Sequence, residues 1–354
     1  MGDVRMYRNT YAKINLTNIY DNVLNIKNNY NYEYYIAVVK ANCYGHGLKA
    51  IEPMIKAGCN YLAVATLDEA LEVRELYPNI PILCLGVVYK KDLTVCYENN
   101  ITITVNSKEY FYDIKELNIP LKIHLKLNTG MNRLGIKTVN DVVDCIKAID
   151  ESSFILEGIY THIFNPNSEF DTNRQFEKFN MLCSNIDLSK IKIIHLAASN
   201  TLTKYPKLNY VNGVRLGIIM YGFNDNIELK STFSLYSTIA QLNNITTTEK
   251  VGYNGLYIPS NDEKIGVVQI GYADGITRAY TGNTVYINDK EYQIVGNVCM
   301  DMLFVKIDEN IKEYQEITLL KDNKHIIDTA NHLKTIPYEI LCLISNRVPR
   351  IYVD

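Results

Sequence analysis

The 354-residue sequence lacks the features that mark several specialised classes of protein. It has no tryptophan, no C-x-x-C pair among its eight cysteines and no closely spaced pair among its six histidines. We therefore expect neither a catalytic zinc nor a disulfide framework, and cysteines scattered through apolar segments fit a reducing compartment. No apolar run reaches the roughly 18 residues of a membrane helix, and the start has no signal-peptide core. The sequence predicts a cytoplasmic protein, with any membrane domain lying outside this chain.

The chain also has little excess of either charge. Its 36 basic and 39 acidic residues give a net charge of -3 and a sequence pI of about 6.1. Such a balance offers no basic field to nucleic acid, so we expect no nucleic-acid partner. Hydrophobic residues make up 47% of the chain, enough for a large core and more than one globular domain.

What is present is concentrated in residues 38–47, VVKANCYGHG. Lys40 closes an apolar, strand-like run and is followed by Tyr44. A lysine in a dry pocket has a pKa below its usual value of about 10.4, and its neutral amine attacks aldehydes. For an isolated lysine, the ordinary interpretation is a side chain that reaches from a strand end into solvent.

The same segment has a second interpretation. Gly45, Gly47 and Ala50 fit the dinucleotide fingerprint G-x-G-x-x-A, and Asp68 or Glu69 lies about 20 residues further on. In that fingerprint the first glycine directly follows the strand, whereas four residues intervene here. Nicotinamide binding therefore remains the weaker hypothesis.

The distribution of apolar residues predicts two domains. Eight apolar, β-branched runs predict an α/β fold with an N-terminal (β/α)8 barrel over residues 12–232. Helix-like stretches separate most of these runs, such as residues 67–76, LDEALEVREL. Six runs that are short or alternate follow, with turn residues among them, and they predict a C-terminal mainly β domain of residues 233–354, completed by residues 1–11. These six predicted strands are residues 236–245, 265–270, 283–287, 292–295, 302–307 and 315–320. The eight predicted barrel strands are residues 35–40, 61–66, 80–86, 101–105, 121–128, 155–163, 192–197 and 214–220.

Chemically active residues fall at or near the carboxyl ends of these predicted strands, where barrel enzymes build their active sites. Phosphate groups commonly bind at the loops after the last two strands, where a hydroxyl and backbone N–H groups are available. The residues concerned are Lys40, Arg133, His162, Ser199, Arg215, Gly217 and Ile218.

Several motifs together resemble the fold-type III pyridoxal-phosphate racemases of the alanine racemase family. They are the Lys40 segment, YAKI at residues 11–14, VGYNGLY at 251–257, GYADG at 271–275, NVCMDM at 297–302 and RVPR at 347–350. The resemblance covers nearly the whole chain. It implies pyridoxal 5'-phosphate as cofactor and a homodimer with shared active sites. It also implies an amino-acid racemase that supplies D-amino acids for cell-wall precursors.

The resemblance also implies roles for individual residues. Lys40 would carry the cofactor, Tyr44, Ser199 and the backbone of Gly217 and Ile218 would hold its phosphate, and Arg215 would face the pyridine nitrogen. Tyr253 would be the second base and Met300 a contact of the substrate carboxylate, both reaching the partner subunit, with Tyr272 and Asp274 lining the entrance. Arg133 would bind the cofactor phenolate and the substrate carboxylate, and Lys126 matches a lysine that is carbamylated in some members.

These roles make a coherent mechanism. Racemisation removes a proton from one face of Cα and returns it to the other, so Lys40 and Tyr253 would flank the substrate. Positive charge from Arg215, relayed through His162, would help the tyrosine lose its proton. Because an arginine does not give up its proton, the pyridine nitrogen stays unprotonated, which limits side reactions.

The sequence also departs from the family pattern. Asn297 stands where an arginine is common, Ala198 where an asparagine is common, and residues 164–168 lack the usual small and acidic side chains. Asn346 stands where a tyrosine is typical; a smaller side chain with both donor and acceptor would admit serine as well as alanine. Drift at a tolerant position is the alternative. The same pattern resembles the serine/alanine racemases of vancomycin resistance, whose racemase domain follows a membrane domain.

Other functions stay open at this point. A single-site pyridoxal-phosphate carrier or regulator would need neither the β domain nor Tyr253, and a nicotinamide dehydrogenase would not need Lys40. The related fold-type III decarboxylases usually place an acid where Arg215 stands here.

Overall fold

The computed structural model of the protein describes residues 7–354, which divide into two compact units. The barrel unit comprises Tyr20–Cys43 and Ile51–Leu229. The C-terminal unit comprises Tyr44–Ala50, Lys230–Asp354 and the described part of residues 1–19.

The described residues contain sixteen strands, which we number β1 to β16 in chain order. They are Tyr11–Asn15, Tyr34–Val38, Tyr61–Val64, Ile82–Cys84, Ile101–Val105, Lys122–Lys126, Ile155–Tyr160, Ile193–Ala198, Gly213–Leu216, Phe233–Ile245, Glu263–Val268, Thr284–Ile287, Lys290–Val295, Leu303–Ile307, Glu316–Leu320 and Arg350–Val353. The α-helices are Leu16–Asn29, Ile51–Lys56, Leu67–Leu76, Leu93–Glu98, Lys108–Ile114, Val139–Asp150, Glu169–Leu182, Ser199–Lys204, Asn323–His332 and Pro337–Leu343. Short 3₁₀ helices are Leu48–Ala50, Lys90–Asp92, Leu188–Lys190, Ile218–Tyr221, Tyr253–Gly255, Tyr272–Asp274 and Arg278–Tyr280.

Strands β2 to β9 are parallel and form a closed barrel in chain order. Pairing of β2 with β9, with Tyr34 opposite Gly213, completes the ring. Strands covered on both faces should be apolar throughout, and all five residues of β5 are buried. Each strand overlaps one of the eight predicted apolar runs, so the predicted barrel is confirmed.

The barrel helices begin where the sequence provides capping side chains. Thr66 accepts a hydrogen bond from the Glu69 N–H, and the Glu69 carboxylate accepts one from the Thr66 N–H. Ser107 accepts from the Tyr110 N–H in the same way. Such caps satisfy backbone donors that have no partner within the helix, which fixes where the helix begins.

The C-terminal unit contains an eight-stranded sheet in the order β11, β14, β13, β12, β15, β10, β1, β16. Strand β10 also pairs with β11, so β10 to β15 form a closed ring. Only the pairing of β1 with β16 is parallel among the described strands of this sheet. The six strands predicted after residue 232 are all present, which confirms the mainly β domain.

Two early segments of the chain belong to the C-terminal unit. The sequence placed residues 12–232 in the barrel domain, but β1 pairs with β10 and β16. Tyr44–Ala50 also lies in the C-terminal unit, where His46 Nε2 is 2.9 Å from Thr232 Oγ1. Strand pairing joins residues hundreds of positions apart, so local patterns could not predict these assignments.

No α-helix among residues 7–354 is long and apolar enough to cross a membrane.

Candidate active site

Lys40 follows β2 and begins a short left-handed turn. Residues 41–44 all have φ between 52° and 55°, although none of them is glycine. A left-handed residue with a side chain costs about 1–2 kcal/mol, so four in succession store considerable strain. The Ala41 N–H donates to Glu69 Oε1 at 2.7 Å, which helps to hold the turn. Backbone strain of this kind clusters at functional sites, which agrees with a functional role for Lys40.

The role of Glu69 weakens the dinucleotide hypothesis. Its second carboxylate oxygen accepts hydrogen bonds from the N–H groups of Ala65 and Thr66, at 2.7 Å and 3.3 Å. Both oxygens therefore serve the backbone of the barrel unit. Gly45 lies in the C-terminal unit, where an added Cβ would be 2.1 Å from the Leu341 carbonyl oxygen. These observations give structural roles to the residues that suggested nicotinamide binding.

Four cations surround His162 at the carboxyl end of the barrel strands. Burial lowers the pKa of His162 to about 3, assisted by the charges of Arg215, Arg133, Lys126 and Lys40. Burial likewise lowers the pKa of Lys126 to about 8, again assisted by Arg133, Arg215 and Lys40. The charges that lower these two pKa values are all those of lysine and arginine side chains. A ligand with several anionic groups, such as a phosphate and a carboxylate, fits this cluster.

Arg215 is 3% exposed and holds a fixed orientation. Its Nη1 and Nη2 donate to His195 Nδ1 at 2.8 Å, to His162 Nδ1 at 3.3 Å, and to the carbonyl oxygens of Thr161, His195 and Leu196 at 2.7–3.1 Å. Its Nε makes no hydrogen bond within the part of the chain that the structure describes. Burial lowers the pKa of Arg215 to about 10, so it stays a cation at neutral pH. The Nε–H is thus available to the ring nitrogen of a cofactor.

Ser199 forms a second part of the site, beside the start of the 3₁₀ helix Ile218–Tyr221. Its Oγ accepts hydrogen bonds from the N–H groups of Gly217 at 3.2 Å and Ile219 at 3.4 Å. Ile218 lies between them and is 2% exposed. Backbone N–H groups gathered around a hydroxyl are suited to a phosphate group.

The remaining predicted residues lie in the C-terminal unit. Tyr44 is 6% exposed, with its ring centroid 5.8 Å from that of Tyr338. Tyr253 is 71% exposed, on a turn in which Gly252, Asn254 and Gly255 all have positive φ. Its backbone carbonyl accepts a hydrogen bond from Asn297 Nδ2 at 2.8 Å.

Met300 lines the same cleft as Tyr253, and backbone hydrogen bonds join the segment that contains Met300 to the segment that contains Tyr272. The two predicted residues Tyr253 and Met300 line one cleft of about 460 Å³. The Met300 carbonyl accepts from the Ala273 N–H at 3.0 Å, and the Tyr272 N–H donates to the Cys299 carbonyl at 3.0 Å.

Buried Asp274 accepts a bidentate pair of hydrogen bonds from Arg8, at 2.7 Å and 3.0 Å. It is therefore a structural anchor of the turn that follows Tyr272, since its side chain is 0% exposed.

Asn346 lies on an exposed turn that one arginine holds in place. Arg350 donates to the carbonyl oxygens of Ser345, Val348, Ile344 and Gly45 at 2.6–2.9 Å. The Asn346 side chain makes no hydrogen bond within residues 7–354. Its amide is exposed to solvent.

Sequence reasoning missed several residues that hold the predicted site residues of each unit in place. They are His195, His124 and Glu157 inside the barrel, and Arg278 and Arg350 in the C-terminal unit. A signal did exist for the first three, since polar residues inside the apolar parallel runs IHLK, LEGIY and IIHLA must be buried. Arg278 donates to Asn297 Oδ1 at 2.7 Å, a partnership that no local pattern indicates.

The barrel site defines a class of enzyme. A lysine on a strained turn, a group of four cations, a buried arginine with one available N–H and a hydroxyl among backbone donors fit pyridoxal 5'-phosphate, with its aldehyde, ring nitrogen, phenolate and phosphate. The fold and site are those of a barrel-type pyridoxal-phosphate enzyme.

Comparison with known proteins identifies the family. Residues 14–225 match the alanine racemase N-terminal domain and residues 232–352 the alanine racemase C-terminal domain. An alanine racemase of Anoxybacillus flavithermus is 37% identical over 98% of this chain and 95% of its own length. The crystal structure of the Bacillus anthracis alanine racemase with bound L-Ala-P is 30% identical and covers 99% of this chain and 96% of its own, with a TM-score of 0.93. A histidine racemase of Leuconostoc mesenteroides is 25% identical and covers 99% of both chains, with a TM-score of 0.90. The chain belongs to the alanine racemase family and is a pyridoxal-phosphate-dependent amino-acid racemase.

Proposed function

We propose that the protein interconverts the L and D forms of both alanine and serine, with Lys40 and Tyr253 as its two bases. The relatives named above support alanine as a substrate. The observation that carries serine is the exposed, unpaired amide of Asn346 on its fixed turn. The D-amino acids formed would supply cell-wall precursors. Likeness to a histidine racemase supports the view that this fold accommodates different side chains.

The residues of the site divide the work between binding and proton transfer. Lys40, Tyr44, Ser199, Gly217, Ile218 and Arg215 would hold the cofactor. When bound, pyridoxal phosphate withdraws electrons from the substrate Cα and so makes its proton more acidic. Arg133 and Met300 would hold the substrate carboxylate, and Tyr272 would line the entrance.

His162 has the properties needed to assist the tyrosine base. It accepts from Arg215 at Nδ1, so its proton is on Nε2. A pKa of about 3 keeps it neutral at working pH, hence an N–H donor and not an acid. Donation from this N–H to the tyrosine oxygen would stabilise the phenolate and make Tyr253 a stronger candidate base.

We also propose a homodimer in which each site uses Tyr253 and Met300 from the partner chain. These two side chains are 71% and 53% exposed, and three further apolar residues nearby in sequence, Leu256, Ile258 and Met302, are 43–60% exposed. Exposed apolar groups of this kind are typical of protein interfaces.

Serine acceptance follows from size and hydrogen bonding at Asn346. A tyrosine there would fill space that Asn leaves open, and the Asn amide offers a donor and an acceptor to a hydroxyl. A lost hydrogen bond to a bound hydroxyl is worth on the order of 1 kcal/mol, or about fivefold in a rate ratio. The likeness to serine/alanine racemases of vancomycin resistance rests on this same residue.

Racemisation of L-alanine and L-serine by wild type and Asn346→Tyr tests the proposal. We expect the serine-to-alanine ratio of kcat/KM to fall at least fivefold in the variant, since steric exclusion adds to the lost hydrogen bond. Asn310→Tyr, an exposed site elsewhere in the C-terminal unit, is the matched control. An unchanged ratio, or no D-serine from wild type, would remove the basis for serine.

Cytoplasmic localisation remains a prediction. None of the eight cysteines, all of which lie within residues 7–354, forms a disulfide, and six of them are buried, which supports a reducing compartment.

A further inference from the structure

The interior of the barrel contains a column of polar side chains. Barrel interiors are normally filled by layers of branched apolar residues. Here His195, His124 and Glu157 are buried instead, at 0%, 0% and 5% exposure. Glycines make room for the rings, because a Cβ on Gly158 would lie 2.6 Å from the His124 ring and one on Gly213 would lie 3.1 Å from His195 Cβ. Burying polar groups is costly, so this arrangement needs a reason.

The column connects Arg215 to Glu157. Arg215 Nη1 is 2.8 Å from His195 Nδ1, and His195 Nε2 is 2.9 Å from His124 Nδ1. His124 Nε2 is buried without a hydrogen-bond partner among the described residues, and the nearest carboxylate oxygen, Glu157 Oε2, is 3.6 Å away, close enough for an electrostatic contact. Arginine only donates, so His195 accepts at Nδ1 and has its proton on Nε2. That proton is donated to His124 Nδ1, which places the His124 proton on Nε2, facing the carboxylate. Burial lowers the pKa of both histidines, so both are neutral.

Glu157 supplies the negative end of the column. Its Oε2 accepts from Tyr61 Oη at 2.8 Å and its Oε1 from Lys192 Nζ at 3.2 Å. Burial opposes ionisation, but the nearby His124 and the hydrogen bond from Tyr61 outweigh it and lower the pKa of Glu157 to about 2. Glu157 is the only buried acid among the described residues of the barrel unit. Every donor in the column therefore points from the Arg215 cation towards one carboxylate.

We propose that Glu157 is a positioning residue for Arg215. Acting through His124 and His195, it fixes both tautomers and holds the guanidinium in one orientation, with Nε left for the cofactor. A reversed tautomer at either histidine would set two N–H groups or two lone pairs against each other. The inference rests on the proposed role of Arg215 as the partner of the cofactor ring.

A double-mutant cycle separates this role from simple filling of the core. Glu157→Gln, Arg215→Lys and the double variant are prepared as holoenzymes, with Glu33→Gln as an exposed control near the same end of the barrel. We expect Glu157→Gln to lower kcat for alanine about fivefold with KM within about twofold, and to shift the cofactor absorption band. In the Arg215→Lys background the same change should have no further effect. Additive effects in the two backgrounds would overturn the proposal.

Histidine ¹⁵N NMR of the holoenzyme gives a readout independent of turnover. We expect His195 and His124 in the Nε2–H form, with no titration near neutral pH, and a shift of the His195 resonances in Glu157→Gln, although residue 157 does not touch that ring. Nδ1–H forms, or unmoved His195 resonances, would overturn the proposal. These measurements stand even if wild type racemises neither alanine nor serine, an outcome that would refute only the proposed function. If Glu157→Gln does not fold, Lys192→Met takes its place in the cycle, because it removes the exposed partner of Glu157. Effects of Lys192→Met and Arg215→Lys that are coupled would support the proposal, and additive effects would overturn it.

Discussion

Lys126 should react with carbon dioxide at neutral to mildly alkaline pH. Carbamylation requires a neutral amine, and burial with its neighbouring cations lowers the pKa of Lys126 to about 8. At pH 8 about half of the amine is then neutral, against about 0.3% for a lysine at the ordinary value of 10.5, roughly 150-fold more. The product carries a negative charge among Arg133, Arg215 and Lys40, so it replaces repulsion by attraction.

The perturbation to be tested is Lys126→Ala, with Lys122→Ala on the same strand as control. With ¹³C-labelled bicarbonate, wild type should show a carbamate signal that grows as the pH rises towards 8 and that the control retains. Loss of a charge-assisted contact to Arg133 is worth about 1.5–3 kcal/mol, so removing carbon dioxide should lower kcat/KM by a factor of about 10 to 150. Lys126→Ala should be low in both conditions. A signal that survives Lys126→Ala, or none from wild type up to pH 9, would refute the reasoning.

Three further predictions concern the bases. Lys40→Ala should lose racemisation and the borohydride-reducible cofactor linkage; a linkage that persists elsewhere would show that another lysine carries the cofactor. Mixing inactive Lys40→Ala with inactive Tyr253→Phe subunits should restore roughly a quarter of wild-type activity, because about half of the exchanged dimers are mixed and each has one intact site; exchanged but inactive mixed dimers would contradict shared sites. Asn297→Leu removes the hydrogen bonds to the Tyr253 carbonyl and to Arg278. We expect kcat to fall about fivefold and KM to change less than kcat. Asn297→Asp keeps the acceptor for Arg278 but loses the N–H that donates to the Tyr253 carbonyl. Equal activity of Asn297→Asp and wild type would show that this hydrogen bond does not contribute to activity.

Local chemistry explains why much of the fold could be predicted. Helix Leu67–Leu76 has the predicted bounds because Thr66 and Glu69 form a complete cap within four residues of chain. The barrel strands were found because parallel strands covered on both faces are continuously apolar. The pairing of strand β1, which lies at the predicted boundary, could not be predicted because its partners, β10 and β16, follow more than 200 residues later.

The candidate site shows the same division. The placement of Lys40, Ser199 and Arg215 near strand ends is a local property, and in the structure these residues lie where it predicts. The clustering of four cations around His162 is not local, and neither is the link from Asn297 to Tyr253, whose residues are 44 apart in sequence.

The sequence by itself determined the kinds of element, their order and the position of the lysine at the end of the first barrel strand, because periodicity, caps and strand ends are set by neighbours within a few residues. Only the tertiary structure decided that residues 44–50 belong to the C-terminal unit and that His124 meets His195 across 71 positions. The physical reason is closure of the barrel. Side chains that point inward from distant strands meet only when the sheet curves back on itself, and their protonation states then depend on one another and on the absence of water.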